Sequence, residues 1–178
     1  MKPLVAIAAL LLLAGCASAG APEESAAPAA TESVAASASP SPTPSEAPAV
    51  VLSATEVATG LQGQIPSIAQ IVTLDETNDP NDLIGRPNGY VDGAVLYDST
   101  VEACPDLGVD CGATIEVWGD ESGAQARSDY IQEILAGAPA FGSEYHYIVD
   151  GYLLRVSGDI LPSVATQWET AFTAVLAG

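Results

Sequence analysis

Apolar residues recur from residue 50 onward with two periods, one typical of helices and one typical of strands. Segments with apolar residues three and four positions apart predict helices over about 53–62, 121–136 and 162–176. Alternating or continuous apolar segments predict strands over 68–74, 90–97, 113–118, 145–149 and 152–156. This order predicts one two-layer α+β domain, with an antiparallel or mixed sheet of about five strands and three helices packed mainly on one face.

The predicted helices have recognisable starts. Ser53 and Glu56 have the spacing of a capping box. Asp120 is a favoured N-cap residue, and Pro162 suits the first turn of a helix. The stripe predicted to be buried on the second helix consists of Tyr130, Ile131, Ile134 and Leu135.

The strongest local signal is the dipeptide Asp150-Gly151 between the last two predicted strands. It predicts a two-residue hairpin turn in which both central residues have positive φ. The resulting register pairs Val149 with Tyr152, Tyr147 with Leu154 and Tyr145 with Val156 on one face, and Ile148 with Leu153 and His146 with Arg155 on the other. The first of these faces is apolar enough to belong to the core.

The opposite face of the predicted sheet carries the best candidate site. If helices cover only the apolar face, this face exposes aromatic, aliphatic and charged side chains together, namely Glu116, Trp118, His146, Ile148, Leu153 and Arg155. We interpret the set as a candidate surface for a ligand or partner. The alternative is a solvated sheet face, in which an ion pair between Glu116 and Arg155 contributes less than about 1 kcal/mol.

An acidic loop follows the first predicted strand. Asp75, Asp79 and Asp82 offer the oxygen ligands that calcium prefers, so they are a candidate cation site. The loop departs from the EF-hand frame, because Pro80 stands where glycine is needed and Arg86 where the bidentate glutamate belongs. A turn-forming loop in which Arg86 pairs with Asp79 or Asp82 is the simpler interpretation. No other cofactor is expected.

The net charge of the chain and its motifs reduce the number of function classes that the sequence allows. Without residues 1–15 the chain carries 23 acidic side chains and three arginines, a formal net charge of −20. Nucleic-acid binding needs lysine and arginine to neutralise phosphates, so that class of partner is excluded.

Ser122 lies one position too late for a nucleophile elbow between Gly119 and Gly123. Enzyme chemistry would require a cleft that brings His146, the sole histidine, near two carboxylates.

Two of the three cysteines predict a disulfide. Cys104 and Cys111 are seven positions apart, with Pro105 and Gly108 between them. In an exported chain this spacing predicts a small disulfide-closed loop, which contributes on the order of 2 to 3 kcal/mol. Zinc binding there would need further cysteine or histidine ligands, which the sequence lacks.

The third cysteine, Cys16, ends an N-terminal segment with one cation, Lys2, and an apolar stretch over 4–13. About ten apolar residues are too few for a membrane span, which needs roughly 20. The sequence Leu13-Ala14-Gly15-Cys16 resembles a bacterial lipobox. The resemblance implies a lipoprotein signal peptide over 1–15, a diacylglycerol on Cys16 and a location on the outer face of the cytoplasmic membrane; an ordinary secretory signal is the alternative.

The segment 17–49 consists almost entirely of Ala, Ser, Pro, Thr and Glu. This composition predicts a disordered tether after the lipidated Cys16, because it cannot bury enough apolar surface to offset its conformational entropy. Fully extended at about 3 Å per residue, the tether would reach roughly 100 Å. The domain organisation is therefore a signal peptide over 1–15, a lipidated tether over 16–49 and one domain over 50–178. We expect the membrane to be a partner mainly through the lipid, since the acidic charge of the domain is repelled by anionic headgroups.

Four stretches of the predicted domain resemble an uncharacterised family of small lipoproteins from high-GC Gram-positive bacteria. They are Asn78–Pro87, Ile115–Trp118, Ala124–Arg127 and the hairpin Tyr145–Val156. The resemblance implies an envelope location but supplies no activity or catalytic residue. We therefore expect a non-catalytic display module that binds an envelope component, a protein or a small ligand through its open sheet face, in an oligomeric state that the sequence leaves open. The alternatives are an enzyme or enzyme accessory acting on cell-wall material, and a purely structural envelope protein whose sheet face is covered by the loop 99–112.

Overall fold

The computed structural model describes residues 51–102, 104 and 106–178. The predicted signal peptide, the lipidation site at Cys16 and the predicted tether lie outside the described residues. None of the described helices has both the length and the apolar character that crossing a membrane requires.

Three helices and five strands make up the described fold. The helices are α1 (Ala54–Gln64), α2 (Glu121–Gly137) and α3 (Pro162–Leu176), and the strands are β1 (Ile68–Leu74), β2 (Asp92–Asp98), β3 (Gly112–Val117), β4 (Glu144–Val149) and β5 (Tyr152–Ser157). The strands form one open sheet in the order β1-β2-β3-β5-β4, and all neighbours are antiparallel. The predicted α+β class is confirmed.

The β4–β5 hairpin has all five predicted cross-strand pairs, so its register is confirmed. Of the two turn residues, only Asp150 has a left-handed φ, at 50°, and the expectation for Gly151 is wrong. Glycine is required there for space instead. The Gly151 carbonyl accepts a 2.7 Å hydrogen bond from the Trp118 backbone N–H, and a Cβ atom at position 151 would lie 2.7 Å from the Trp118 carbonyl oxygen.

Helices α1 and α3 cover the apolar face of the sheet. The predicted capping box is present, because Ser53 Oγ accepts from the Glu56 N–H at 3.2 Å and the Glu56 carboxylate accepts from the Ser53 N–H at 2.7 Å. Gly60 lies inside α1. A Cβ atom at position 60 would lie 2.8 Å from Val175 Cγ1, so the glycine allows α1 to approach α3 closely.

Helix α2 lies against the opposite face of the sheet, and of its predicted buried stripe Ile131 is buried whereas Tyr130 and Ile134 are exposed. Ala124, Ser128 and Ile131 are buried, whereas Tyr130 is 59% exposed and Ile134 is 40% exposed. The prediction placed the most apolar residues inward, but α2 packs on a sheet face that carries charged side chains. Small and polar residues therefore suit the inward positions of the helix.

The remainder of that face is covered near β1 and β2 by the disulfide-bearing loop. Cys104 and Cys111 form the predicted disulfide, with a Cα–Cα distance of 4.9 Å. Cys111 is buried and packs with Leu74 and Val95 in a small second cluster. A disulfide of this kind fits an extracytoplasmic domain, because such bonds persist in oxidising compartments.

Candidate functional site

The six residues of the predicted surface do lie on one face, but that face is not open. Glu116 is 1% exposed, Arg155 is 7% exposed and Leu153 is fully buried. Trp118, His146 and Ile148 are half-buried. The expectation of an open sheet face is therefore wrong, because α2 packs over these side chains.

A buried ion cluster occupies the interface between the sheet and α2. Arg155 Nη1 donates to Glu116 Oε1 at 2.9 Å, while its Nε and Nη2 atoms donate to the two carboxylate oxygens of Glu144 at 2.8 and 2.9 Å. The predicted pair of Glu116 and Arg155 is thus present, but it is buried rather than solvated. Charges removed from water remain favourable only when hydrogen bonds satisfy them, as they do here.

The cluster continues on both sides of Arg155. On one side, Arg127 of α2 donates to Glu116 at 3.3 Å and to Asn81 at 2.8 Å, and this second bond ties the acidic loop to the helix. Asn81 in turn donates to the Tyr90 hydroxyl, which donates to Asp79. A chain of polar contacts therefore runs from the loop to the centre of the sheet.

On the other side, His146 lies between Glu144 and Ser128. Its Nε2 atom is 2.9 Å from the Glu144 carboxylate, and its Nδ1 atom is 2.8 Å from Ser128 Oγ. Because a carboxylate can only accept, the neutral ring carries its proton on Nε2 and accepts from the Ser128 hydroxyl at Nδ1. The histidine therefore joins the strand to α2.

The cluster sets the charge states of its members. Burial alone would raise the pKa of Glu144, but hydrogen bonds from His146 and Arg155 outweigh it and lower this pKa from 4.5 to about 2. Burial lowers the pKa of Arg155, yet its bonds to the two glutamates raise it above the ordinary value. Burial and the bond to Asp79 raise the pKa of Tyr90. Glu144 and Arg155 thus remain charged at neutral pH.

Serine, histidine and glutamate in contact are also the components of a hydrolytic triad, but this set is sealed. The His146 side chain is 5% exposed, and Ser128 is buried beneath its own helix. Four of the main clefts on the described surface are lined by other residues. His146 contacts one carboxylate directly and is separated from Glu116 by Arg155. The arrangement therefore acts as a polar core between sheet and helix.

The accessible concave surface lies beside this cluster, on both sides of Trp118. One cleft of about 680 Å³ is lined on its apolar part by Leu83, Val91, Trp118, Ala126 and Tyr130. A second cleft of about 680 Å³ shares Val91 and Trp118 and continues to Val51, Leu52, Tyr152 and Leu176. We call the two clefts together the Trp118 groove. Each has the volume of a small-molecule site.

The buried cluster positions the tryptophan of the groove. Trp118 Nε1 donates to Glu116 at 3.3 Å, and the Tyr90 ring packs edge-on against the indole with centroids 5.8 Å apart. Gly123 allows α2 to begin against this ring, since a Cβ atom there would lie 3.1 Å from Trp118 Cε3. The groove therefore has a fixed aromatic wall.

The two ends of the groove differ in charge. Arg127 lines the first cleft, whereas Glu121 and Asp150 line the second. Asp120 lines both clefts, but its carboxylate is engaged as the N-cap of α2 through Gly123 N–H at 2.8 Å. The groove is thus apolar along its middle and polar at its ends, as ligand sites commonly are.

The three aspartates of the predicted cation site have different hydrogen-bond partners in the described loop. Asp75 accepts from Thr77 and Asn78, Asp79 accepts from the Tyr90 hydroxyl and from backbone N–H groups, and Asp82 pairs with Arg86 at 2.7 Å. Each carboxylate thus serves a separate turn, and within the described ranges no three metal-ligating side chains converge. The alternative pairing of Arg86 with Asp82 is confirmed.

Several residues of the buried cluster and of the Trp118 groove were not identified from the sequence. Arg127 and Ser128 carry the α2 side of the cluster, while Val91 and Tyr130 line the groove. One signal was present: Ala124, Arg127, Ser128 and Ile131 share a helical face. That stripe is less apolar than the predicted one, so hydrophobicity alone favoured the wrong side.

Comparison of the chain with protein-family models, with curated proteins and with solved structures found no match in any of the three.

Proposed function

We propose that this protein is a lipid-anchored envelope protein that binds an apolar part of a ligand or partner in the Trp118 groove. The observation that carries the proposal is the contrast between the two sites. The charged cluster is sealed beneath α2, whereas Val91 and Tyr130 expose apolar surface at a preformed groove. Clefts of this volume with a largely apolar lining and a few polar groups are the usual form of a binding site.

A binding role is supported over catalysis by the placement of the titratable groups. The only histidine is buried between Glu144 and Ser128. A substrate would have to displace α2 to reach it, and that displacement would break the bonds of Arg127 and Ser128. Catalysis of cell-wall reactions therefore has weaker support than binding.

The lipid anchor can be tested at Cys16. Cys16→Ser should block lipidation, because the thiol that would carry the diacylglycerol is absent. We expect the variant protein to remain uncut or to leave the membrane fraction, measured by fractionation of the native host and mass spectrometry. The double variant Cys104→Ser with Cys111→Ser removes the other two cysteines, which form the disulfide, and should stay membrane-bound. A Cys16→Ser protein that is still cut and still bound would contradict the anchor.

The groove can be tested with N-phenyl-1-naphthylamine, a neutral apolar dye that becomes fluorescent in apolar surroundings. The protein should bind the dye, and Val91→Asp should weaken binding at least about tenfold, because a carboxylate would enter the apolar middle of the groove. Phe141→Asp is the matched control, since Phe141 is about equally exposed (72% against 66% for Val91) but lines neither cleft. Equal affinities for the two variants would count against the groove.

A photocrosslinking residue distinguishes a binding protein from a purely structural one in living cells. Benzoylphenylalanine at position 91 should give a discrete adduct, and the same residue at position 141 should not. A structural protein with an unoccupied groove would give no adduct at either position. That outcome would overturn the proposed role while leaving the lipid anchor unaffected.

A further inference from the structure

The two edge strands of the sheet, β1 and β4, differ in how well they are protected against pairing with another chain. In β1 the register shifts between Ile68 and Gln70, which interrupts the edge. Side chains cover two of its outward carbonyls: Gln62 Nε2 donates to the Ile68 carbonyl at 3.1 Å, and Asn78 Nδ2 donates to the Thr73 carbonyl at 3.1 Å. Bulges and side-chain caps of this kind protect an edge against pairing with another chain.

The β4 edge has far less of this protection. Its pairing with β5 is regular over all six residues, and the strand contains neither lysine nor proline. In a two-residue hairpin the residues next to the turn form a hydrogen-bonded pair, so the backbone groups of Tyr145, Tyr147 and Val149 face β5. Those of the alternate residues, His146 and Ile148, therefore face outward.

Two observations agree with this orientation. Gln132 Nε2 of α2 donates to the Glu144 carbonyl at 3.2 Å, as an outward-facing carbonyl allows. The His146 side chain is 5% exposed although the residue as a whole is half-buried, so its exposed atoms belong mainly to the main chain. Within the described part of the chain, the N–H and C=O groups of His146 and Ile148 have no partner.

The charge around β4 favours a basic segment of another protein over a second copy of this chain as the partner of the edge strand. The three arginines of the described residues are all paired with carboxylates: Arg86 with Asp82, Arg127 with Glu116, and Arg155 with Glu116 and Glu144. Asp150 directly follows the strand. Burial raises the pKa of the Tyr147 hydroxyl, and the nearby carboxylate of Glu169 in α3 adds to this shift. A second copy would thus bring acidic surfaces together without a free cation between them.

We propose that β4 pairs with an extended, lysine- or arginine-bearing segment of another protein, which adds a sixth strand to the sheet. The outward N–H and C=O groups of His146 and Ile148 bond to the main chain of that segment. The partner is therefore a polypeptide, because it must supply peptide groups for these bonds. The acidic surface around β4 attracts lysine and arginine side chains, so basic segments bind in preference to neutral or acidic ones. The site is separate from the Trp118 groove, so either can fail without the other.

The probe is an eight-residue peptide of alternating lysine and valine, blocked at both ends and added to the ¹⁵N-labelled full chain. Hydrogen exchange of the His146 and Ile148 amides should slow at least about tenfold when the peptide is added. Exchange of the Tyr145 and Tyr147 amides should change little, because these amides already bond to β5. The same peptide methylated on alternate amide nitrogens keeps its charge but cannot pair, and it should give no protection.

A pair of variants tests the edge itself. Ile148→Pro removes the outward N–H while sparing the bonds to β5, so the hairpin is retained and peptide protection is lost. Ile148→Val keeps the N–H and should behave like the original protein, and the thermal midpoints of both variants verify folding. Equal protection by the methylated peptide, or protection retained in folded Ile148→Pro, would overturn the proposal. Protection of His146 without peptide, together with a doubled mass in sedimentation equilibrium, would assign the edge to a second copy instead.

Discussion

Replacing Arg155 with methionine should lower the free energy of unfolding by about 3 to 5 kcal/mol, measured by urea denaturation. Methionine keeps much of the side-chain volume but leaves Glu116 and Glu144 buried together without the cation between them. Removing one partner of a buried ion pair is costly, because the remaining charge keeps its desolvation penalty. A loss of this size is a large part of the 5 to 15 kcal/mol typical of domains, so a partly unfolded population is expected on mild heating.

Arg86→Met is the matched control. Arg86 also donates to both oxygens of one carboxylate, that of Asp82, at 2.7 and 2.8 Å. Its side chain is 58% exposed, so water solvates the remaining carboxylate, and the expected loss is under about 1 kcal/mol. Similar losses for the two variants would show that burial of the Arg155 cluster does not govern its contribution.

Acid should remove the stabilisation that Glu144 supplies. Its pKa in the folded protein is about 2, below the ordinary 4.5, so the folded state favours the ionised form. The contribution is fully present above pH 4.5 and is lost as the pH falls from 4.5 towards 2. A difference of this size corresponds to roughly 3 kcal/mol. Urea unfolding at pH 6 and pH 2 measures the loss.

Glu144→Gln isolates this residue from the other carboxylates. The variant should be less stable than the original protein at pH 6, because glutamine cannot form the charged bonds to Arg155. The two stability curves should approach each other as the pH falls from 4.5 towards 2, because an increasing share of Glu144 is protonated and then resembles the amide. Parallel curves would mean that the acid dependence arises elsewhere.

The sealed cluster and the open groove are parts of one arrangement. Glu116 accepts from Arg155, Arg127 and Trp118, so it joins the ion cluster to the aromatic wall of the groove. Because Arg155→Met disturbs Glu116, dye binding in the groove is best measured on variants such as Val91→Asp, which leave the cluster intact. Stability and binding can then be assigned to separate residues.

The elements that were predicted well depend on neighbours in the sequence. The capping box at Ser53, the N-cap at Asp120 and the register around Asp150-Gly151 each involve groups within a few residues of one another. Local hydrogen bonds and the strand period of two are sufficient to define them. The pairing of Arg155 with Glu116 also follows, because the predicted faces place both residues on one side of the sheet.

The side on which α2 packs could not be read from its own periodicity. Tyr130 and Ile134 form the more apolar stripe, yet Arg127 and Ser128 face the sheet. They do so because Arg127 bonds to Glu116 and Ser128 bonds to His146 on that face. A buried carboxylate gains more from a hydrogen-bonded cation than the helix loses by exposing two apolar residues. That comparison involves residues on separate elements and therefore needs the tertiary structure.

The sequence by itself determined the helices, the strands, the hairpin register, the disulfide and the acidic character of this protein. Only the tertiary structure decided that the charged face is buried, that the groove lies at Trp118 and that the β4 edge is left available. The physical reason is the distance along the chain over which each kind of interaction acts. Caps, turns and periodicity act over a few residues, whereas burial of a charge and the shape of a groove depend on segments as distant in the chain as Leu52 and Leu176.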